Sequence, residues 1–545
     1  MAVEALGLVD PPGSDTGEPE EHPGDAIDAL DANDPPEPLW VDFGLAVAIA
    51  GGVVLRFWTG SALWLDEALS VNIARLPLSQ LTEALRHDGA PPVYYVLLHG
   101  WMQVFGEGDA AVRALSGVLS VASLPLMYLA GRRLAGREAG WVATALLAMS
   151  PFALRYATET RMYALIVFLT LLGYLVLDRF LARPTTGRLF GIMVVSALLV
   201  LTHYWSLFLL AAVCLALAVR LDRAPRSRMA TAWALIGVVV GALAILPWLP
   251  AFTYQLAHTG TPWARPPRVS SIIGTVFAFS GGDEDLAPVL GVCMLAVGGM
   301  GVFGRRHADR QVVLDLRAGG PAKGLGFVTL ATLVTAIAAG LVTGSGFAPR
   351  YASVVLAPFL IVVATGAQAL APSGFRRAVV GVLVSLGLVA GVLQSDTPRT
   401  QARTIAATLD AEARPGDLVL YCPDQLGPAV DRYLAADLYQ VTFPRLRPPD
   451  RVDWVDYEPR NLSVAAPGFA ARVHRLAGSN AIWFVWAFGY QGLGGRCEQI
   501  DQNLANVRPV RQQYVVLDIE TVPEHANLTR YAVPGDPQAP APRRR

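Results

Sequence analysis

The sequence predicts a mostly α-helical, polytopic membrane protein, and three observations carry that reading. Only 16% of the 545 residues are charged, against about 25% in an ordinary soluble domain. Hydrophobic residues make up 53% and mean hydropathy is +0.42. Apolar runs recur along the chain, such as Val41 to Phe57, Ala230 to Leu246 and Val354 to Ala371. Each approaches the roughly 20 residues that cross a bilayer core.

Hydropathy gives about eleven spans, near residues 40–58, 110–131, 138–155, 161–181, 188–203, 205–221, 229–250, 286–304, 325–344, 351–370 and 376–394. The stretch 188–221 is read as two short spans broken at Thr202, His203 and Tyr204. A single helix of that length, at about 1.5 Å per residue, would overshoot the bilayer. With the N-terminus inside, loops assigned to the cytoplasm hold 17 Lys and Arg residues, and outer loops and span ends hold 9. That asymmetry favours a cytoplasmic N-terminus and supports the split, since merging the two spans would export the later arginine clusters.

Residues 1–38 are rich in Asp, Glu, Pro and Gly and hold no Lys or Arg, a composition expected to be a disordered acidic cytoplasmic tail. The first apolar span then serves as an uncleaved signal anchor. Residues 39–395 form the membrane domain, with a first outer loop over 59–109. An odd span count puts residues 396–533 outside. There a helical pattern over Arg399 to Leu409 precedes a strand at Leu418 to Cys422, a helix is expected near Ala429 to Leu438, and a second strand lies at Ala481 to Ala487. That alternation predicts a small extracytoplasmic α/β domain. Pro-rich residues 534–545 are expected to be a frayed tail. A net charge of −1 gives no reason to expect a nucleic-acid partner.

Polar residues collect on the outer side. Asp66 and Glu67 follow the first span, and His87, Asp88, Pro91, Pro92, Tyr94 and Tyr95 come later in the same loop. Arg155, Glu159, Arg161 and Tyr163 lie between the third and fourth spans. His203 and Tyr204 interrupt the next helix pair, and Arg350 and Tyr351 open the tenth span. Each has a structural alternative. Acidic residues favour the first turn of a helix, tyrosines belt membrane interfaces, His203 can be a packed turn residue, and Arg350 can snorkel. Their coincidence on one face, set independently by arginine counts in the opposite loops, points to a site.

In order and spacing these residues resemble the bacterial GT-C membrane glycosyltransferases, in particular the protein-mannosyltransferase-like group, glycosyltransferase family 39. The resemblance rests on Leu65-Asp66-Glu67-Ala68, on Pro91-Pro92-Val93-Tyr94-Tyr95, and above all on Glu159-Thr160-Arg161-Met162-Tyr163-Ala164-Leu165. It covers about residues 39–370. Relatives commonly carry Ala at the position of Thr160, and many have a His directly before the two prolines, where this chain has Ala90.

The resemblance implies sugar transfer from a polyprenyl-phosphate donor to an acceptor hydroxyl of a glycan, lipid or protein. It implies Asp66 as general base and Glu67 as its catalytic neighbour. Asp88, Tyr94, Glu159, Arg161, Tyr163, His203, Arg350 and Tyr351 are the implied substrate-binding residues, with Arg161 and Arg350 facing the leaving phosphate. No full ligand set for a metal is visible, so a divalent cation is left open. A lipid-linked sugar flippase would instead need charges buried mid-span or matched broken helices, and a non-catalytic scaffold would place its business in the C-terminal domain.

Cys214 and Cys293 lie within apolar runs, whereas Cys422 and Cys497 fall in the segment read as extracytoplasmic. Disulfides persist in that compartment, and these two are the available partners for a bridge there.

Overall fold

The structure is a computed structural model that describes residues 39–223, 227–261, 264–282, 285–307, 311–315, 320–370 and 372–533. The expected tails, 1–38 and 534–545, lie outside these residues. The first span forms α1 (Leu39–Leu55), and three short helices, α2 (Leu65–Ala74), α3 (Leu78–Asp88) and α4 (Val93–Phe105), make up the first loop.

The membrane helices follow. They are α5 (Asp109–Ala148), α6 (Pro151–Ala157), α7 (Tyr163–Ala182), α8 (Thr186–Val200), α9 (Ser206–Arg223), α10 (Arg228–Ala242), α11 (Leu249–His258), α12 (Ser271–Phe279) and α13 (Ala287–Phe303). A hairpin of β1 (Gly304–His307) and β2 (Gln311–Leu314) precedes α14 (Lys323–Thr343), α15 (Ser353–Gln368) and α16 (Ser373–Asp396). Among the described residues six helical segments are long and apolar enough to cross a membrane, and four shorter apolar helices accompany them.

Local sequence explains the breaks. The second and third spans are two helices that fold back on each other at Ala135 and Gly136, where the backbone leaves the helical region, so that Gly131 packs against Gly140 and the Tyr128 and Trp141 rings meet at 4.7 Å. Gly136 has φ +86°, a conformation costly for a residue with a Cβ. The third span stops at Ser150, whose hydroxyl accepts from the Ala153 N–H at 3.2 Å and caps α6. Buried Arg56 fastens that end, donating to the carbonyls of Ala148 and Leu147, both at 2.7 Å. The helix pair 188–221 is broken where the sequence reading placed the turn, between α8 and α9. α13 and α15 cross through Gly301 and Gly366, where a Cβ would collide with the backbone at Val362 and Val297 respectively. Small residues let membrane helices approach this closely.

The C-terminal part is a layered α/β unit. α17 (Ala402–Glu412) leads into β3 (Leu418–Cys422), followed by α18 (Gly427–Tyr433), β4 (Tyr439–Thr442), α19 (Tyr457–Leu462), α20 (Ala466–Ala477), β5 (Ile482–Trp486), α21 (Arg496–Val507), β6 (Val510–Val515) and β7 (Asn527–Ala532). The five strands are ordered β4-β3-β5-β7-β6. β4, β3 and β5 are parallel, while β7 runs antiparallel to β5 and β6. Alternate residues of a strand face opposite sides. Val419, Tyr421, Trp483 and Val485 therefore pack with Ile405 and Leu409 of α17. Leu418, Leu420 and Phe484 pack with Phe469 of α20 and Ile500 of α21. The helix expected over Ala429 to Leu438 is shorter, ending at Tyr433, because Leu434 turns extended and the chain feeds β4.

The first loop lies between this unit and the membrane helices. Ala68 belongs to the core that contains α17, and Leu65 packs with Val452, Trp454 and Tyr457.

Candidate active site

Asp66 and Glu67 occupy the first turn of α2, which is held from outside. The N-cap, Trp64, supplies no side-chain cap. Instead Glu524 Oε1 of the C-terminal domain accepts the Leu65 N–H at 3.0 Å across 459 residues of sequence. Ser70, one turn on, donates to the Asp66 carbonyl at 2.7 Å.

The two neighbouring carboxylates diverge. Asp66 Oδ2 lies 3.4 Å from Arg350 Nη2 and 4.0 Å from Arg161 Nε, with its side chain 13% exposed. That oxygen makes no hydrogen bond among the described residues. Both separations exceed the roughly 2.7–2.9 Å of a charge-assisted hydrogen bond, so Asp66 is held by charge while its oxygen stays uncommitted. Glu67 is fully buried. It accepts from Arg113 Nε at 2.7 Å, Arg113 Nη2 at 2.6 Å and the Thr160 N–H at 3.0 Å. Burial pushes its carboxyl up, but Arg113, Arg399 and the Thr160 N–H outweigh burial and hold it below the usual range.

A second chain of bonds fixes Arg161. Its Nη1 donates to Ser70 Oγ at 3.1 Å and to the Tyr95 hydroxyl at 3.3 Å. Tyr95 in turn donates to Asp88 Oδ2 at 2.8 Å. Asp88 ends α3, where Gly89 takes φ +90°. Burial raises the Asp88 carboxyl above its ordinary range against the pull of Arg161 and the Tyr95 hydroxyl. Thus Tyr95, rather than Tyr94, meets Asp88 and Arg161; Tyr94 faces Ser116 at 3.5 Å.

Glu159 belongs to a separate cluster. It is fully buried, 3.4 Å from Arg155. Arg399 sits nearby, donating to the Thr158 carbonyl at 2.8 Å and hydroxyl at 2.6 Å, and lies 3.8 Å from Glu67. On the other flank of Asp66 runs an aromatic row. Tyr163 and His203 have centroids 6.0 Å apart, His203 and Tyr351 5.3 Å, and Trp205 and Tyr351 6.0 Å. His203 Nδ1 accepts the Trp205 N–H at 3.1 Å. The Arg350 guanidinium lies 5.9 Å from the rings of both Trp64 and Tyr351, within cation–π range.

Of the residues singled out in the sequence, Asp66, Asp88, Arg161, Tyr163, His203, Arg350 and Tyr351 share one region, whereas Tyr94 faces Ser116 and Glu159 lies with Arg155. The sequence reading did not single out Tyr95, Ser70, Arg113, Arg399 or Glu524. Tyr95 was visible only as a member of the Pro91–Tyr95 pattern and Arg113 only as one of the nine outer basic residues, and nothing local marks Glu524. Among the described residues no group of three or more His, Cys, Asp or Glu side chains is placed to hold a metal ion. In the C-terminal domain Cys422, at the end of β3, is bonded to Cys497 in the first turn of α21, with Cα atoms 5.4 Å apart.

Residues 89–250 match the family model described as dolichyl-phosphate-mannose-protein mannosyltransferase. No curated protein sequence matches the chain significantly. The fold is similar to that of ArnT from Cupriavidus metallidurans bound to undecaprenyl phosphate, with a TM-score of 0.55 and 15% identity over 90% of this chain and 98% of that one. It is also similar to ArnT from the same organism in the apo state, with a TM-score of 0.56 and 14% identity over 90% and 97% of the two chains. With its apolar helices and small C-terminal sheet domain, the chain shares the fold of the ArnT structures, and its segment from the end of the first loop through the next helices is similar to the mannosyltransferase family model.

Proposed function

We propose that the protein is a membrane glycosyltransferase that moves a sugar from a polyprenyl-phosphate donor to an acceptor hydroxyl on the outer face of the cytoplasmic membrane. One observation carries this reading: the uncommitted Asp66 carboxylate oxygen lies beside two guanidiniums, Arg350 at 3.4 Å and Arg161 at 4.0 Å. The likeness to an ArnT structure containing undecaprenyl phosphate supports a lipid-phosphate donor.

Asp66 accepts the acceptor's hydroxyl proton as that oxygen attacks the anomeric carbon. The bond from carbon to the phosphate oxygen breaks, with inversion, and polyprenyl phosphate leaves. A positioned base of this kind contributes typically about 10²–10⁴-fold. Arg161 and Arg350 stabilise charge growing on the leaving phosphate, and each planar fork can hold two phosphate oxygens. Donor phosphate draws the arginines from their loose pairing with Asp66 and so leaves the base free. Tyr163, His203 and Tyr351 wall the phosphate side. Asp88 and Tyr95 position Arg161. Glu67, whose oxygens are taken by Arg113 and Thr160, is a positioning residue that fixes the helix carrying Asp66.

The test is Asp66→Asn in full-length protein supplied with polyprenyl-phosphate sugar. Transfer should vanish while insertion and yield stay normal. Turnover near the wild-type rate would rule Asp66 out as base.

A further inference from the structure

A cavity of about 540 Å³ lies between the first loop and the C-terminal domain, apart from the arginines around Asp66. This volume is in the range of small-molecule sites, about 300–1,000 Å³. Leu69 and Ile73 of α2 and His87 of α3 form one wall, and Phe443, Arg445 and Asp453 stand opposite. Hydrogen bonds between the two walls fix the spacing: Asn72 Nδ2 donates to the Asp450 carbonyl at 2.7 Å, and the Trp454 N–H donates to the His87 carbonyl at 3.0 Å.

Position ties the cavity to the chemistry. Leu69 and Ile73 stand three and seven residues after Asp66, on the same side of α2. At about 1.5 Å of rise per residue, the cavity wall begins about one turn from the carboxylate. On α3, His87 is the neighbour of Asp88.

The lining also limits the ligand. It carries four arginines and four carboxylates, and all but Glu83, which pairs with Arg86 and His87, are paired with one another. Asp453 lies 3.2 Å from Arg445, 3.3 Å from Arg460 and 2.8 Å from His87 Nδ1. A phosphorylated or acidic ligand would have to compete with those carboxylates for the arginines. An acyl chain would have to strip water from charges that are about half exposed, such as Arg445 and Arg451, at high cost. Sugar hydroxyls, each both donor and acceptor, suit an alternating set of guanidinium donors and carboxylate acceptors, with Phe443 and Pro444 offering an apolar patch for a ring face.

We infer that this cavity is the acceptor subsite and that its ligand is an uncharged saccharide, which places the acceptor among glycans rather than proteins or lipids. The inference rests on the transferase reading and names the acceptor class for it. Its test is binding, which needs no turnover. The probes are mannotriose, arabinotriose, a serine- and threonine-containing hexapeptide and a phosphorylated glycolipid, added to full-length protein in nanodiscs and followed by saturation-transfer NMR. At least one trisaccharide should bind, and Ala84→Trp, which fills the cavity from α3, should weaken it at least tenfold. Ser79→Trp, at an exposed rim position, does the same with less risk to folding. Undecaprenyl-phosphate binding by both variants should match the wild type, which also shows that they fold. The saccharide assignment is overturned if neither trisaccharide binds, if both variants bind it like the wild type, or if only the peptide or the glycolipid is held in the cavity. Failure of the wild type to consume any polyprenyl-phosphate sugar would instead overturn the transferase reading and leave the binding result standing.

Discussion

At Asp66 the sequence offered two adjacent carboxylates, and the structure separates them by what each touches. Glu67 is consumed by Arg113, while Asp66 faces Arg161 and Arg350 without a hydrogen bond to its buried oxygen. Arg161→Ala should then lower transfer by about 10²–10³-fold, the loss typical of removing one donor to a developing anion. Arg161→Lys should recover only part, since an ammonium lacks the planar fork. Steady-state rates with saturating donor check this, and an unchanged rate in Arg161→Ala would give that residue a purely structural role. Glu524 makes a different prediction. Burial raises its carboxyl to about 8, with Asp66 and Glu67 adding to the rise and the Thr400 hydroxyl opposing it. In the unfolded chain a glutamate ionises near about 4.3. The folded state therefore holds this proton more tightly. Its contribution to stability is complete below the unfolded value and is lost as pH rises through about 8. Glu524→Gln keeps an acceptor for the Leu65 N–H and has nothing to ionise. Its thermal midpoint should fall less than that of the wild type between about pH 5 and pH 8. Parallel curves for the two proteins would place the slope elsewhere.

At the scale of elements, legibility followed the range of the interaction. Spans were visible because apolar length is a local property, and the break between α8 and α9 was visible because Thr202, His203 and Tyr204 interrupt it. β3 and β5 were visible as continuous apolar runs, as expected of strands buried on both faces. By contrast β6 alternates exposed and half-buried residues at the sheet edge, and its sequence, Val-Arg-Gln-Gln-Tyr-Val, carries little apolar signal. β4 is only four residues long and begins with exposed Tyr439. The cap from Glu524 onto α2 could not be read, because its partner is 459 residues away. The bridge between Cys422 and Cys497 fastens α21 to the end of β3 and closes a 75-residue separation. The chain-entropy account assigns roughly 4 kcal/mol to loops of this order, less any strain. Replacing both cysteines by serine should lower the unfolding midpoint of the C-terminal domain by several degrees, measured by calorimetry on oxidised protein. Reductant should produce a similar drop in the wild type and none in the variant.

For the whole molecule, the contact between the first loop and the C-terminal domain constrains topology. Asn72 and His87 of the first loop bond to Asp450 and Trp454 of the C-terminal domain. Glu524 reaches the start of α2. Groups in such contact share one side of the membrane, so the chain between residues 109 and 396 must cross an even number of times, whichever helices span. Eleven spans satisfy that condition, since ten separate the first loop from the tail. Which side the two share is set by the arginines. Loops about residues 132–137 and 179–188 are rich in Arg, and positive residues stay cytoplasmic. Reporter fusions after residues 132 and 183 should therefore read cytoplasmic, and fusions after 85, 265 and 450 should read extracytoplasmic. The two halves of the argument fail differently. Opposite signals at 85 and 450 would contradict the packing of the C-terminal domain on the loop that carries Asp66. Matching cytoplasmic signals at both would keep that packing and invert the molecule, moving Asp66 and its arginines to the inner face and overturning sugar transfer outside the membrane.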